Sequence, residues 1–316
     1  MTDLDTGLTD VGINEPQTLL LERPLDVFDG LFHATGVDGL YARTGLYERV
    51  ASALGAFITE HRPDGAEVLA FPPVMSRAQI ERQGYLKSFP NLLGVVSCLC
   101  GSEREVRGLV EGAAEGADWT PALAASDLVL SPAACYPVYP MVAARGPVPA
   151  KGAVFDVSCD CFRREPSTDI DRLQSFRMRE FVRVGSPEQV IQFRSDWIER
   201  GRTMAMRMGL SFTVVVASDP FFGRGGQLAA KSQAEQELKF ELLVPVRSAS
   251  SPTACMSFNY HQDHFATTWG MTSEAGPQPH SVCVAFGIDR LVLGLFAAHG
   301  LQLGQWPAAV REALRL

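Results

Sequence analysis

The sequence has no excess of basic residues and no long apolar run. Its 316 residues include 28 Lys and Arg against 36 Asp and Glu, so the formal net charge is −8. A broad surface that tracks nucleic acid needs Lys and Arg to neutralise phosphates, and this composition argues against one. No stretch reaches the roughly 18 to 20 uninterrupted apolar residues that a membrane span needs. The N-terminus is acidic and polar rather than a secretory signal, and we expect residues 1–20 to form a flexible segment.

Several familiar frameworks are also missing. The seven cysteines are odd in number and irregularly spaced, which favours a reduced, cytoplasmic protein over a disulfide scaffold. Neither GxGxxG nor GxxxxGK[ST] occurs, and no internal repeat is visible. The glycine-rich run from Phe222 to Gly226 lacks the strand–glycine–helix context of a dinucleotide loop, so we interpret it as a mobile turn.

Hydrophobic periodicity predicts strands that meet in the second half of the chain, with helices before and between them. The predicted helices are 40–61, 76–84, 103–116, 187–208, 228–237, 289–299 and 306–316. The predicted strands are 67–74, 153–164, 177–184, 212–217 (short and buried), 240–246 and 281–288. A loop-rich, proline-rich region occupies the middle of the chain. This order favours an α+β fold with a mostly antiparallel sheet over a doubly wound parallel sheet.

Charged residues alternate at the ends of the hairpin formed by the two central strands, as FRRE before its loop and RMREF after it. A solvated edge strand with paired charges is one interpretation, because buried strand charges need partners. An anion site is the other. A fixed guanidinium at Arg163 can bind a phosphate in two-pronged fashion and stabilise developing charge. Glu165 points to the same face of the strand and can accept from an adenine amino group.

A second motif, FGIDRL, joins the last predicted strand to a helix. Gly287 allows backbone or a nucleotide to approach closely, and Arg290 lies at the positive end of the helix. By itself the motif is better explained by an Asp289 cap followed by a surface arginine. Neither motif therefore identifies a function alone.

Together and in this order, the motifs resemble those of class II aminoacyl-tRNA synthetases. FRRE, the loop and RMREFVRV resemble motif 2, and AFGIDRLVLGLF resembles motif 3. The helix from Leu40 and the strand EVLAFPPV resemble motif 1, which builds the dimer interface in that class. The resemblance covers approximately residues 40–300. It implies an antiparallel sheet flanked by helices, ATP bound in a bent form on that sheet, and a homodimer.

The resemblance also implies roles for individual residues. Arg163 would hold the α-phosphate and Arg290 the γ-phosphate, which makes them the expected catalytic residues. Glu165 would read adenine, and Phe181 would stack under its ring. The further ATP contacts that it implies are Arg172, Leu173, Ala254, Cys255, Met256 and Ser257. The last four match a Glu-Ile-Ser-Ser segment of the seryl enzymes but lack its acidic magnesium ligand, for which Glu241 could compensate.

Three residues far apart in sequence, Cys135, Glu180 and Cys283, are candidates for a zinc site. Spacing does not select them, and buried cysteines with a paired glutamate are the alternative interpretation. Methanogen-type seryl-tRNA synthetases, however, hold a catalytic zinc with Cys, Glu and Cys at matching places relative to motifs 2 and 3. Three protein ligands leave the fourth tetrahedral position for the substrate amino group, so Glu180 would also contact substrate. Zinc would then fix the substrate carboxylate toward the α-phosphate.

The remaining polar candidates have weaker support. Asp219 is a turn residue by local chemistry or approaches the substrate ammonium. Cys159 and Cys161 share a strand face without a third partner, so we interpret them as core. His261 and His264 read as hydrogen-bonded loop histidines rather than ligands.

The resemblance narrows further when the acceptor is considered. Motif 1 begins near residue 40 and 26 residues follow Arg290, so we expect one catalytic domain over 21–316 and no tRNA-binding domain. That pattern is similar to the amino acid:[carrier protein] ligases, bacterial homologues of the methanogen-type seryl enzymes. It implies activation of glycine or alanine with ATP and Mg²⁺, then transfer to the phosphopantetheine thiol of a carrier protein.

Two other functions stay open. One is aminoacylation of a different acceptor, a tRNA or a protein lysine. The other is a non-catalytic module that binds an amino acid or its adenylate, although the presence of both phosphate arginines counts against it. We expect an insertion at about 187–227. Four arginines on its helix suit an acidic carrier surface or simply form a solvated face: Arg194, Arg200, Arg202 and Arg207.

Overall fold

The computed structural model describes residues 30–316, so the predicted flexible segment 1–20 lies outside the described residues. The strands are β1 (Phe32–Val37), β2 (Leu40–Arg43), β3 (Glu67–Ala70), β4 (Val74–Ser76), β5 (Val95–Leu99), β6 (Leu123–Leu130), β7 (Ala153–Phe162), β8 (Ser175–Gly185), β9 (Thr213–Val216), β10 (Lys239–Ser248), β11 (Ser251–Gln262) and β12 (His280–Gly287). The helices are α1 (Gly45–Glu60), α2 (Arg77–Arg82), α3 (Tyr85–Ser88), α4 (Glu103–Ala114), α5 (Val138–Ala144), α6 (Pro187–Arg207), α7 (Gly223–Glu235), α8 (His264–Trp269), α9 (Ile288–His299) and α10 (Ala308–Leu314).

A seven-stranded sheet in the order β3-β7-β8-β12-β11-β10-β9 forms the centre of the fold. Every neighbouring pair in it is antiparallel except β3 and β7. A smaller antiparallel sheet, β4-β6-β5, and the pair β1-β2 lie beside it. The predicted α+β class and mostly antiparallel sheet are confirmed.

The two faces of the large sheet differ because strand side chains alternate between them. One face packs against α1, α6, α9 and α10 in a core that contains Phe181, Trp197 and Phe286. A Cβ atom at Gly201 would lie 2.8 Å from Phe258 Cζ, so this glycine lets α6 approach the sheet closely. The other face carries α5 and α8 in a second core with Tyr139 and Phe265, and it holds the site described below.

Several predicted elements need correction. The helix predicted from Leu40 begins at Gly45, where Thr44 accepts from Tyr47 N as the cap, and Leu40–Arg43 is a strand. The strand predicted over 67–74 is two strands in two sheets, because Pro72 and Pro73 have no amide N–H to continue the ladder. The run from Phe222 to Gly226, interpreted as a turn, instead starts helix α7.

Three further differences concern strands. Strand 212–217 was predicted to be buried, but β9 lies at the sheet edge with Val216 41% exposed. The proline-rich middle, predicted as loops, contains β6 and α5. Strand β11, which the sequence did not predict, pairs with both β10 and β12. Among residues 30–316, none of the helices combines the length and apolarity that a membrane crossing requires.

Segment 187–227 was predicted to be an insertion whose helix either docks a carrier or presents a solvated face. Its helix α6 packs across β8, β11 and β12, with Trp197 and Met204 buried, so the helix completes the main core. Its arginines are engaged locally: Arg194 donates to Glu237 O at 2.6 Å, and Arg207 lies 4.9 Å from the Phe57 ring. The helix lies on the sheet face opposite the site.

Candidate active site

A cavity of about 260 Å³ opens on the sheet face that α6 does not cover. Its lining brings together most of the residues that the sequence suggested: Cys135, Arg163, Glu165, Leu173, Glu180, Asp219, Glu241, Ala254, Cys255, Met256, Ser257, Cys283 and Arg290. These residues are separated by up to half the chain, and the sheet order places their strands side by side. We call the part around Arg163 and Arg290 the arginine end, and the part around Cys135, Glu180 and Cys283 the cysteine end.

The two guanidiniums of the arginine end are held by main-chain oxygens. Arg163 Nε donates to Pro132 O at 3.0 Å. Arg290 donates through Nε to Asp171 O and through Nη1 to Ala254 O, both at 3.0 Å. Carbonyl partners orient a guanidinium without neutralising it, so both groups keep their positive charge for an anion. Burial lowers the pKa of Arg290. Because the ordinary pKa of arginine is so high, the group still stays charged.

The loop between β7 and β8 is tied down at one buried residue. The Asp171 carboxylate accepts from the hydroxyl of Thr253 and lies 2.7 Å from Arg247 Nε. Through its carbonyl, Asp171 in turn holds Arg290. Leu173 lines the cavity beside it, whereas Arg172 is exposed and lies outside the lining. The expectation that Arg172 contacts the nucleotide is therefore not supported by its position.

The prediction for Phe181 is wrong. Its ring is fully buried on the other face of the sheet, 4.8 Å from the Trp197 ring and 5.2 Å from the Phe286 ring. Glu180 and Phe181 are neighbours on a strand and must point to opposite faces. Phe176, on the same face as Glu180, is the aromatic residue of β8 that lines the cavity, and the Arg163 guanidinium lies 5.4 Å from its ring centre.

At the cysteine end, Cys135, Glu180 and Cys283 converge, as the resemblance to the methanogen-type seryl enzymes implied. Their ligand atoms lie within 4.8 Å of one another, and all three residues are buried. Glu180 Oε1 accepts from the amides of Ala134 at 2.8 Å and Cys135 at 3.1 Å. The hydrogen bond with Cys283, burial and the charge of Glu180 raise the pKa of the Cys135 thiol well above its ordinary value.

This donor set fits a zinc ion. Two sulfurs and one carboxylate oxygen are typical zinc ligands, and three of them leave one tetrahedral position open toward the cavity. Zinc binds thiolates rather than thiols. The raised pKa of Cys135 keeps its thiol protonated, so this proton would be released when the metal binds. Glu180 is 1% exposed, and burial of a charge without a countercharge is costly, so a bound cation would stabilise this end of the cavity.

Two further side chains contact the Cys283 sulfur. Asn259 Nδ2 donates to it at 3.3 Å, and His261 Nε2 lies 3.6 Å from it. On the other side of the ring, His261 Nδ1 lies 3.1 Å from Ser281 Oγ and 3.4 Å from Tyr139 Oη. Burial lowers the pKa of His261 to about 3, so the ring is neutral. We had expected His261 to lie in a loop, but it lies in strand β11.

A buried lysine that the sequence reading missed lies between the acidic residues of the cavity. Lys239 Nζ contacts Asp219 Oδ1 at 2.6 Å and Glu241 Oε1 at 2.9 Å. Gln233 donates to the other Asp219 oxygen at 2.8 Å. Burial raises the pKa of Asp219, but Lys239, Gln233 and Arg163 together lower it by more, so the carboxylate is ionised. The roles of Asp219 toward substrate and of Glu241 toward magnesium stay predictions.

The chain is similar to proteins of the class II synthetase family. Residues 124–299 match the family model described as the tRNA synthetase class II core domain (G, H, P, S and T). Amino acid–[acyl-carrier-protein] ligase 1 of Bradyrhizobium diazoefficiens is 58% identical over 96% of this chain and 94% of that protein. The type-2 serine–tRNA ligase of Methanopyrus kandleri is 27% identical over 59% of this chain and 37% of that protein.

A solved structure shows the same fold. It contains M. kandleri SerRS in complex with A. aeolicus tRNASec, and it superposes with a TM-score of 0.76 at 21% identity. The match covers 90% of this chain and 58% of that chain, so this protein spans little more than half the length of the synthetase. The family model covers more than half of the chain, and a relative of nearly the same length is more than half identical. The protein therefore belongs to the amino acid–[acyl-carrier-protein] ligases, a family of ligases built on the class II tRNA synthetase core.

Proposed function

We propose that this ligase activates glycine or alanine with ATP as an aminoacyl-adenylate and transfers the aminoacyl group to the phosphopantetheine thiol of an acyl-carrier protein. One observation carries the proposal: a pair of unneutralised guanidiniums and a buried Cys-Glu-Cys cluster line the same cavity. The first suits a nucleotide phosphate, and the second suits a metal-held amino group. An aminoacyl-adenylate joins an amino acid to a nucleotide phosphate, so its formation needs the phosphate-binding and amino-group-binding regions beside each other.

In the first step, an oxygen of the substrate carboxylate attacks the α-phosphorus of ATP and pyrophosphate leaves. Arg163 binds the α-phosphate and stabilises the charge that develops there, and Arg290 binds the γ-phosphate. Glu165 accepts from the adenine amino group. Phe176, rather than Phe181, provides the surface on which the adenine ring stacks, because it is the ring on the cavity side of β8. Magnesium accompanies the ATP.

Zinc is the metal that Cys135, Glu180 and Cys283 would hold. When bound, it supplies a Lewis-acid position that accepts a neutral amino group and rejects substrates without one. The chain itself orients Glu180, because the amides of Ala134 and Cys135 both donate to its Oε1. Fixing the amino group in this way directs the carboxylate toward the arginine end.

The cysteine end of the cavity is walled by ring side chains. Phe265, Tyr136 and His261 line the cavity there, and the Phe265 ring stacks on that of Tyr139 at 3.6 Å. Stacked, buried rings resist displacement, because the interior is close-packed. This wall supports glycine or alanine as the substrate.

In the second step, the carrier thiol attacks the carbonyl carbon of the adenylate, a thioester forms and AMP leaves. Support for a carrier acceptor comes from the B. diazoefficiens relative, whose name states that it ligates an amino acid to acyl-carrier protein.

We also propose that the chain acts as a homodimer through α1 and β3, the elements that correspond to motif 1. Val68 of β3 is 56% exposed, which suits an edge that a second copy covers. Light scattering that gives a monomer mass would contradict the dimer.

The test begins with ATP–pyrophosphate exchange across the amino acids. We expect glycine or alanine to support exchange and larger side chains to be much poorer substrates. The enzyme that holds the aminoacyl-adenylate is then mixed with pantetheinylated carrier, with carrier that lacks pantetheine, or with bulk tRNA. Transfer only to the pantetheinylated carrier is the expected result. Transfer only to tRNA would favour the alternative acceptor, and no exchange with any amino acid would favour a binding module.

A further inference from the structure

We propose that Asp289 is a positioning residue that sets the separation between the adenine surface and the phosphate-binding arginine. This inference rests on the proposed nucleotide site. Asp289 is adjacent in sequence to Arg290, and its main partner Arg177 is adjacent to Phe176. A single buried carboxylate thus joins the helix that carries one ATP-binding side chain to the strand that carries the other.

Asp289 is 1% exposed, and its carboxylate accepts from residues of β2, α1 and β8. Oδ2 accepts from the Arg177 amide at 2.6 Å, and Oδ1 accepts from Arg177 Nη2 at 2.9 Å. Oδ1 also accepts from Tyr47 Oη at 2.7 Å. Arg43 approaches through Nε at 3.1 Å from Oδ1 and through Nη2 at 3.3 Å from Oδ2. Two guanidiniums, one hydroxyl and one amide therefore share two oxygens.

Asp289 does not cap its own helix, which was one interpretation of its place in the sequence. The N-cap position of α9 is Gly287, and no side-chain cap bond is formed there. The carboxylate points instead across to β8. Its hydrogen bonds thus contribute to the spacing of two elements rather than to the stability of one helix end.

The contact lies where sheet pairing ends. The ladder between β12 and β8 finishes at the pair Gly287 and Met178, because the chain then turns into α9. Arg177 precedes Met178 in β8, and its amide donates to the Asp289 carboxylate rather than to a main-chain carbonyl. The side chain extends the ladder by one bond and holds the start of β8, including Phe176, against the helix that carries Arg290.

The same carboxylate reaches the helix α1. Tyr47 lies on α1, and its neighbour Glu48 accepts from Arg177 Nη1 at 2.8 Å. Arg177 therefore lies between two acids on different elements and forms an ion pair with each of them. Hydrogen bonds between ionised groups are stronger than those between neutral ones, so removal of the Asp289 charge weakens all of these contacts together.

The experiment compares Asp289→Asn with Tyr47→Phe in pyrophosphate exchange, with ATP and amino acid varied separately. Asp289→Asn keeps the shape but removes the charge, and we expect the KM for ATP to rise about tenfold with the KM for amino acid nearly unchanged. Tyr47→Phe removes one donor and keeps both ion pairs, so the rise should be about threefold or less. A purely structural role would reduce the active fraction and kcat while both KM values stay unchanged, and that result would overturn the proposal.

Arg43→Gln covers the case in which Asp289→Asn does not fold. Arg43 is 22% exposed and lies outside the cavity lining, so its loss is better tolerated. We expect it to raise the KM for ATP about threefold without changing the KM for amino acid. An unchanged KM for ATP in a folded Arg43→Gln protein would reject the inference. A wild-type enzyme without exchange activity would instead reject the proposed function.

Discussion

At the arginine end of the cavity, two guanidiniums are held by main-chain carbonyls, whereas at the cysteine end a carboxylate is held by main-chain amides. Both arrangements orient a charge without cancelling it. The segment from Pro132 to Cys135 contributes to both, since Pro132 O accepts from Arg163 and the Ala134 and Cys135 amides donate to Glu180. One short turn thus sets the relation between the two ends.

The ends differ in how they acquire their charge. Arginine is protonated at any ordinary pH, so the arginine end is ready for an anion as folded. Thiols with raised pKa values are protonated, so the cysteine end becomes an ionised ligand set only when a cation binds. The comparison teaches that loss of one end should leave the other functional, and the following changes test that separation.

The largest effect should come from the arginine end. Arg163→Ala or Arg290→Ala removes a fixed positive charge from the proposed transition state, and we expect about a 10²- to 10³-fold loss of pyrophosphate exchange in each. Zinc content, measured by elemental analysis, should stay at the wild-type value. Zinc loss in these variants would show that the two ends are not separable.

The converse change is made at the cysteine end. Cys283→Ala or Cys135→Ala should remove zinc and, with it, binding of the amino acid, because two ligands cannot close the site. ATP binding, measured by calorimetry, should remain within about threefold, since the arginine partners are untouched. Pure wild-type protein that contains no zinc would defeat this prediction.

The alternation of β8 gives a matched pair of aromatic variants. Phe176→Ala should raise the KM for ATP about tenfold, because base stacking on an aromatic ring contributes about 1–3 kcal/mol, while Tm changes little. Phe181→Ala should instead reduce the free energy of unfolding by about 3–5 kcal/mol, because it leaves a hole beside Trp197 and Phe286. A higher KM for ATP in a stable Phe181→Ala protein would restore the original assignment.

The smallest effect is expected at the exposed loop residue. Arg172→Ala should change exchange kinetics by less than about twofold, as is typical of surface substitutions away from a site. Leu173→Ala, the next residue, is the control, because Leu173 lines the cavity and its loss should be measurable. A large defect in Arg172→Ala would mean that this side chain reaches the nucleotide after all.

Much of the fold follows from local patterns. The helix α6 was predicted to within one residue, because a Ser-Pro start and an apolar stripe that includes Val190, Trp197 and Met204 all indicate the same element. The errors occur where tertiary context decides. The glycine-rich start of α7 reads as a turn by propensity. Strand β11 shows no clear alternation because its pairing with β10 is irregular between Ala254 and Met256.

The site shows the same division. Motif order placed Arg163, Glu165 and Arg290 in one region, and the rule of strand alternation could have excluded Phe181 as soon as Glu180 was assigned to the cavity. No spacing rule could have found Lys239, since its importance depends on Asp219 and Glu241 lying within 2.6 and 2.9 Å of it. The sequence likewise showed no sign of Asn259, and the contact of His261 with Cys283 is evident only once β11 and β12 are paired.

The sequence by itself determined the chemical types that are available, the family motifs and their order, because these depend on residue identity and local periodicity. Only the tertiary structure decided which face each side chain takes and which distant residues meet, because strand pairing brings Cys135, Glu180 and Cys283 within 4.8 Å across 148 positions of chain. The reason is physical. A metal or phosphate site needs convergent groups within a few ångströms, and a linear pattern does not encode the sheet order that makes them converge.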